Sequence, residues 1–355
     1  MGDVSGASPG CTGLDVARLE EWMDSRGLGY GPIGELVPLA GGTQNVVVRF
    51  RRGPQEFVLR RPPWHPRPES NRTILREAQV LRALSGSAVP HPQMLAVCEN
   101  MAVLGTTFYL MPHVAGFNAT SGLPQMQRDS PNIRHRMGLA LVEAAVELAT
   151  IDHRKAGLDA FGKPEGFLER QTERWRRQLE GYERYANWPG PSDIPDIERV
   201  ARWLEQSLPK SGYRAGILHG DYHIGNVLYR FDSPRLAAIV DWELATIGDP
   251  LLDLAWLVAT WPDEEGFLPN PAIRVRPWEG FPNATELIAH YARCSERDLQ
   301  AVGWYVVLAC FKLGIILEGT YARACAGEAA METGQRLHVA TQRLFERAML
   351  WIHRS

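Results

Sequence analysis

The chain has 355 residues, 45% of them hydrophobic and 22% charged. That composition excludes a disordered chain, and the length exceeds the roughly 100–200 residues of a usual single domain, which points to two lobes. With 38 basic against 41 acidic side chains, the formal charge of −3 gives no broad electrostatic basis for a nucleic-acid partner. Five scattered cysteines without a C-x-x-C pair argue against a disulfide framework or a zinc knuckle and fit a reducing cytoplasm. Met1 to Gly6 carries neither a secretory nor a myristoylation pattern. The longest apolar run, 301–317, is broken by Lys312 and falls short of the ~20 residues that span a bilayer. It reads as a buried helix, so a cytoplasmic protein with no membrane partner is expected.

Residues 1–13 are rich in Gly and Ser and read as a flexible tail. Leu14 to Arg26 has helical apolar spacing and stops at Gly27. Two strands, Glu35 to Leu39 and Val46 to Phe50, enclose a turn containing Gly41, Gly42, Thr43 and Asn45. Glycines there let backbone approach phosphates without a Cβ in the way, although an ordinary hairpin would use the same residues. Gln55 to Arg60 is a third strand. The proline-rich 62–68 segment reads as a loop beside a cleft mouth, and Thr73 to Leu84 as a helix centred on Glu77. Met94 to Glu99 and Thr106 to Met111 then form a strand pair around Gly105. From Asn132 onward the periods are helical, with helices at 133–151, 167–185 and 197–208. After the stretch 217–253, further helices cover 251–261, 285–293, 298–318 and 331–352, and a Pro/Gly-rich loop at 262–282 includes Trp278.

The most informative stretch is 217–253. Ile217-Leu218 leads into His219-Gly220-Asp221, and Asn226 follows five residues after the Asp, in a segment too glycine-broken to be a helix. Leu236 to Val240 reads as a buried strand with Asp241 at its exit. Two acids and one carboxamide in that order suit phosphoryl transfer, which needs an acceptor near the attacking hydroxyl and oxygen ligands holding Mg²⁺ against nucleotide phosphates. Asp221 takes the first role, and Asn226 with Asp241 the second.

His219-Gly220-Asp221 with Asn226, Asp241-Trp242-Glu243, and Gly248-Asp249-Pro250 with Asp253-Leu254-Ala255 resemble the aminoglycoside phosphotransferase and choline kinase branch of the protein-kinase-like superfamily. Phe57-Val58-Leu59-Arg60 resembles the kinase-like domains fused to some acyl-CoA dehydrogenases. The resemblance covers about residues 30–350. It implies an α+β, bilobal protein-kinase-like fold: an N-lobe over 14–112 with a small antiparallel sheet, and a mostly helical C-lobe over 113–355. It places Arg60 at the position of the kinase lysine, ion-paired with Glu77, and Arg61 on the opposite face of the strand. Residues Met111 to His113 become the hinge, where main-chain groups would bond the adenine of ATP or the base of GTP. The implied activity is Mg²⁺-dependent phosphorylation of a small-molecule hydroxyl.

Other readings compete. His219 and His223 are four apart but lie in a glycine-broken segment, so a zinc site built on them lacks its helix. Asp249 and Asp253 also suit a solvated helix N-terminus. Arg60 in place of lysine, with a weak glycine loop, leaves open a nucleotide-binding pseudokinase without turnover. The helices after residue 285 carry mixed charge, with no acidic cluster of the kind that holds a polycationic aminoglycoside.

Overall fold

The computed structural model describes residues 13–39, 45–209, 213–263, 265–270 and 273–354. Period-two patterning builds the first part of the chain. Strands β1 (Ile33–Pro38), β2 (Val46–Arg52) and β3 (Gln55–Arg61) form an antiparallel meander. β4 (Ala96–Cys98) and β5 (Phe108–Pro112) complete a five-stranded sheet in the order β1-β2-β3-β5-β4. Alternation along β3 gives the sheet two different faces. Phe57 and Leu59 join Phe50, Phe108 and Leu110 under helix α1 (Val16–Asp24), whose Leu19, Trp22 and Met23 cover them. Arg60 points the other way, toward α2 (Ser70–Ala83). Helix α1 begins where the Asp15 side chain accepts the Arg18 amide at 3.1 Å, and the chain turns out at Gly27 with φ +65°.

The expected strand pair around Gly105 contains a short helix, α3 (Met101–Leu104), capped by Asn100. Its four residues follow an Asx cap rather than an apolar period, so sequence pattern does not show it.

The second part is helical: α4 (Gln125–Asp129), α5 (Pro131–Thr150), α6 (Glu169–Glu180) and α7 (Ile197–Gln206) precede the stretch 217–253. There β6 (Gly216–Leu218) pairs with β9 (Thr246–Gly248), and β7 (Val227–Tyr229) with β8 (Leu236–Ile239). Helices α8 (Leu251–Thr260), α9 (Ala284–Cys294), α10 (Val302–Cys325) and α11 (Met331–Arg354) close the chain. α10 is long and apolar enough to cross a bilayer by length and composition. Its apolar side chains are instead buried in one core with those of α5, α8 and α11. That core also takes in Ile74, Ala78 and Leu81 of α2, so α2 is the piece through which the sheet is packed onto the helices.

The two short strand pairs hold the loop that carries Asp221 and Asn226. Phe117, just after β5, exchanges backbone hydrogen bonds with Tyr229 at 2.8 and 2.9 Å. The Asn118 side chain donates to the Gly225 carbonyl at 2.5 Å. The crossing chain between sheet and helices therefore braces the loop that carries Asn226.

Candidate active site

After β6 the chain turns at Gly220, whose φ is +86°. A Cβ at this position would collide with the Leu244 carbonyl, so only glycine fits. Asp253, in the first turn of α8, accepts the His219 amide at 2.7 Å and the Gly220 amide at 2.9 Å. It is 3% exposed, and Asp249 is 2% exposed. A solvated helix N-terminus is therefore the wrong reading for both: burial raises each carboxyl above its ordinary value, and each is held by donors. Asp249 accepts the Leu251 amide at 3.0 Å and the Tyr305 hydroxyl at 2.5 Å.

Both histidines of the loop brace backbone. His219 Nε2 donates to the Val240 carbonyl at 2.9 Å, and its Nδ1 accepts the Asp221 amide at 3.3 Å. That tautomer ties Asp221 to the end of β8, one residue before Asp241. His223 Nδ1 accepts the Gly225 amide at 3.0 Å, and Nε2 lies 3.5 Å from Asp221 Oδ1. With these nitrogens engaged, the zinc reading loses its ligands. Among the described residues no cluster of three or more His, Cys, Asp or Glu side chains could hold a metal.

Asp221 is fixed from several directions and still open. Trp256 Nε1 donates to Oδ1 at 2.8 Å, and Asn226 Nδ2 donates to Oδ2 at 3.0 Å and to the Asp221 carbonyl at 2.9 Å. The side chain keeps 31% of its surface exposed. Burial pushes its carboxyl up, but the hydrogen bonds from His223 and Trp256 and the nearby imidazoles outweigh that and hold it well below the usual carboxylate range. It is thus an ionised acceptor on the open side of the loop.

Asp241 stands next to this group, because the Val240 amide donates to the Asn226 carbonyl at 2.9 Å. Its φ of +68° is a strained conformation for a non-glycine residue, of the kind found where side-chain aim matters. Arg60 Nη2 lies 2.6 Å from Asp241 Oδ1 and 3.8 Å from Glu243 Oε2. On its other side Arg60 Nε is 2.7 Å from Glu77 Oε2, a close charge contact, and Nη2 donates to Glu77 Oε1 at 3.3 Å. Nε has no aligned hydrogen bond despite that distance. The Arg60–Glu77 pair expected from the sequence is therefore present, with an unforeseen third member, the Tyr109 hydroxyl donating to Glu77 Oε2 at 3.0 Å.

Burial pushes Glu77 up to about 7, with Arg60 opposing, whereas the surrounding carboxylates raise Arg60 against its own desolvation. Two donors converging on one carboxylate favour the charged form.

Of the glycine-turn residues, Gly41, Gly42 and Thr43 lie outside the described residues. Asn45 is described, and its Nδ2 donates to Glu243 Oε2 at 3.1 Å, so it reaches across to the helical part. Arg61 takes the opposite face from Arg60, as expected, with its guanidinium 4.3 Å over the Trp64 ring. One main-chain group of the expected hinge is already engaged. The His113 amide donates to the Glu56 carbonyl at 3.1 Å and its ring sits 3.0 Å from the Glu56 carboxylate, so that amide is not free for a base. The β3–β5 ladder, in which Val58 faces Met111, simply continues one step further.

Sequence reasoning missed Trp256 and Lys312. Lys312 Nζ donates to the Gly220 carbonyl at 3.1 Å and lies 4.2 Å over the Trp256 ring. The available signal was a cation interrupting an apolar helix, which needs a partner when buried.

For Mg²⁺ the donor chemistry fits. Asn226 turns its Nδ2 toward Asp221, which leaves its carboxamide oxygen on the other side, and Asp241 supplies carboxylate oxygen; both are hard ligands. Asp241 already carries a cation, Arg60, on one oxygen.

The sequence matches the phosphotransferase enzyme family, APH, over residues 35–291. Acyl-CoA dehydrogenase family member 11 of Gallus gallus is 31% identical over 316 residues, covering 87% of this chain and 39% of that protein. The chain thus spans about two fifths of the length of that curated relative. The crystal structure of a candidate aminoglycoside phosphotransferase from Ralstonia eutropha JMP134 superposes with a TM-score of 0.77 at 28% identity, over 94% of this chain and 98% of that one. A thermostable mutant of aminoglycoside phosphotransferase APH(4)-Ia, in ternary complex with AMP-PNP and hygromycin B, shares the fold at a TM-score of 0.58 and 15% identity, over 91% and 97% of the two chains. With most of its length matched and its site residues set in a kinase-like α+β fold, this chain belongs to the phosphotransferase enzyme family.

Proposed function

We propose that the chain is a small-molecule kinase that moves the terminal phosphoryl group of ATP or GTP to a substrate hydroxyl with Mg²⁺. The observation that carries this reading is Asp221: an ionised carboxylate, fixed by Trp256 and Asn226, partly open, and one backbone bond from the segment bearing Asp241. In that role Asp221 orients the attacking hydroxyl and accepts its proton as the oxygen bonds to phosphorus and the nucleoside diphosphate leaves. Asn226 and Asp241 would hold Mg²⁺, which neutralises charge on the phosphates. Arg60 steadies phosphate oxygens, and its fork suits them as it now suits carboxylates. Glu243 accepts the Asn45 side-chain amide at 3.1 Å.

The acceptor is a hydroxylated metabolite rather than a polycation. The helices after residue 285 carry mixed charge, with no acidic cluster of the kind that holds a polycation.

The test is a panel of hydroxyl compounds incubated with magnesium and either ATP or GTP, scored for phosphorylated product. Asp221→Ala should abolish transfer and spare nucleotide binding, while Asp241→Ala should also weaken magnesium-dependent binding. Wild-type protein that binds nucleotide but neither transfers nor hydrolyses it would replace this reading with a pseudokinase. Unchanged turnover in both variants would remove the mechanism.

A further inference from the structure

We propose that Trp256 and Lys312 are positioning residues for phosphoryl transfer: the indole N–H sets the Asp221 carboxylate, and the Lys312 ammonium sets both the indole and the Gly220 carbonyl. The proposal rests on the kinase reading above and adds two residues to it. Neither has a motif position in the stretch 217–253.

Lys312 is an unusual choice for its place. It sits in the middle of α10, between buried Phe311 and Leu313, and is itself half-buried. Among the described residues no carboxylate lies within 4.0 Å of Nζ. Burying an ammonium without an ion pair is costly, and Met or Leu would fill the same space without that penalty. What Nζ touches instead is the Gly220 carbonyl at 3.1 Å, the Trp256 ring at 4.2 Å and the Trp175 ring at 5.6 Å. Burial pushes this amine down to about 8, while Asp221 and Asp253 hold it up. The cation is thus kept by aromatic faces and by the field of the catalytic loop.

Trp256 is 5% exposed and has one polar atom, Nε1–H, which can only donate. That donor goes to Asp221 Oδ1 at 2.8 Å. A phenylalanine would pack similarly there and leave Oδ1 with only the longer contact to His223 Nε2 at 3.5 Å, a weaker hold on its orientation. Asp221 then has one oxygen fixed by the indole and the other by Asn226, and each keeps lone-pair capacity for an incoming proton. Below it the peptide at Gly220 is held from two helices: Asp253 of α8 takes its N–H, and Lys312 of α10 takes its carbonyl. A base displaced by even 1 Å loses much of its effect, which is why such a mounting matters to rate.

The experiment measures magnesium-dependent phosphate release from ATP and from GTP, with water as acceptor, for wild type and for Trp256→Phe, Lys312→Met, Lys312→Arg and Asp221→Asn, alongside their melting temperatures. We expect Trp256→Phe and Lys312→Met each to lower kcat at least about tenfold with KM for Mg·ATP within about twofold, and Lys312→Arg to recover part of the loss. A purely structural role would instead lower the melting temperature and leave kcat of the folded fraction unchanged. If Lys312→Met does not fold, Trp256→Phe carries the test alone. Equal rates for wild type and Asp221→Asn would sink the kinase reading, and this proposal with it. A slow Asp221→Asn beside Trp256→Phe and Lys312→Met at wild-type kcat would overturn the positioning role and leave the kinase reading standing.

Discussion

Arg60 Nη2 lies 2.6 Å from Asp241 Oδ1, so the cation of β3 is seated on a carboxylate that the proposed reaction assigns to Mg²⁺. The same guanidinium is anchored behind by Glu77, which is 1% exposed. One side chain therefore joins the sheet, α2 and the segment that follows β8.

Glu77→Ala would leave Arg60 buried with half its partners gone. Breaking a buried pair from one side costs about 3–5 kcal/mol, and urea unfolding should show a loss of that order. Glu77→Gln keeps an oxygen for Arg60 and Tyr109 and should lose less. Equal stability of Glu77→Ala and wild type would mean the pair is solvated in solution.

Gly220→Ala should damage both stability and turnover. The residue must take φ +86° and its Cβ must displace the Leu244 carbonyl, in the segment that follows Asp241. The backbone penalty alone is about 1–3 kcal/mol, and the shifted loop misplaces Asp221. A thermal melt and a phosphate-release assay together check this. A variant that melts and turns over like wild type would show that the loop has room the structure denies.

Much of this site was legible because the chemistry demands particular side chains at short spacings. Asp221, Asn226 and Asp241 stand on one loop and the strand after it, and the Arg60–Glu77 pair needed only the alternation of β3 and the face of α2. What escaped came from distant segments. Trp256 and Lys312 reach the loop from α8 and α10, where an apolar period conceals which single side chain turns toward Asp221. The two buried acids, Asp249 and Asp253, escaped for the opposite reason: helix-start acids usually meet water, and only the packing of α10 and β6 over them removes it. The engagement of the His113 amide was not legible because strand ends are set by the ladder partner, here Glu56, and not by the strand's own residues.

Tyr305→Phe separates packing from catalysis. The Tyr305 hydroxyl donates at 2.5 Å to Asp249 Oδ2, a carboxylate that is 2% exposed and sits past the far end of β9 from Asp241. Removing a hydrogen bond to a buried charged group costs about 1.5–3 kcal/mol. The variant should melt earlier while its kcat stays within about twofold of wild type, since Tyr305 touches none of the reacting groups. A collapse of kcat at unchanged melting temperature would place Asp249 in the chemistry.

His338 makes stability depend on pH in a direction that can be worked out. Its Nδ1 lies 2.8 Å from Glu318 Oε2 on α10, and its Nε2 lies 3.3 Å from Asp193 Oδ2 before α7. Gln342 approaches from α11 and the Tyr321 ring packs at 4.4 Å; both are uncharged at neutral pH. The Glu318 hydrogen bond therefore raises His338 above its ordinary 6.5, against the pull of burial. A group that binds its proton more tightly when folded adds stability in full below the unfolded value of about 6.5, and loses it as pH rises through the folded value. The melting temperature of wild type minus that of His338→Gln should accordingly be largest in mildly acidic buffer and shrink as the buffer is made alkaline. A difference that stays flat across that range, or grows with pH, would show that the imidazole is neutral between its two carboxylates.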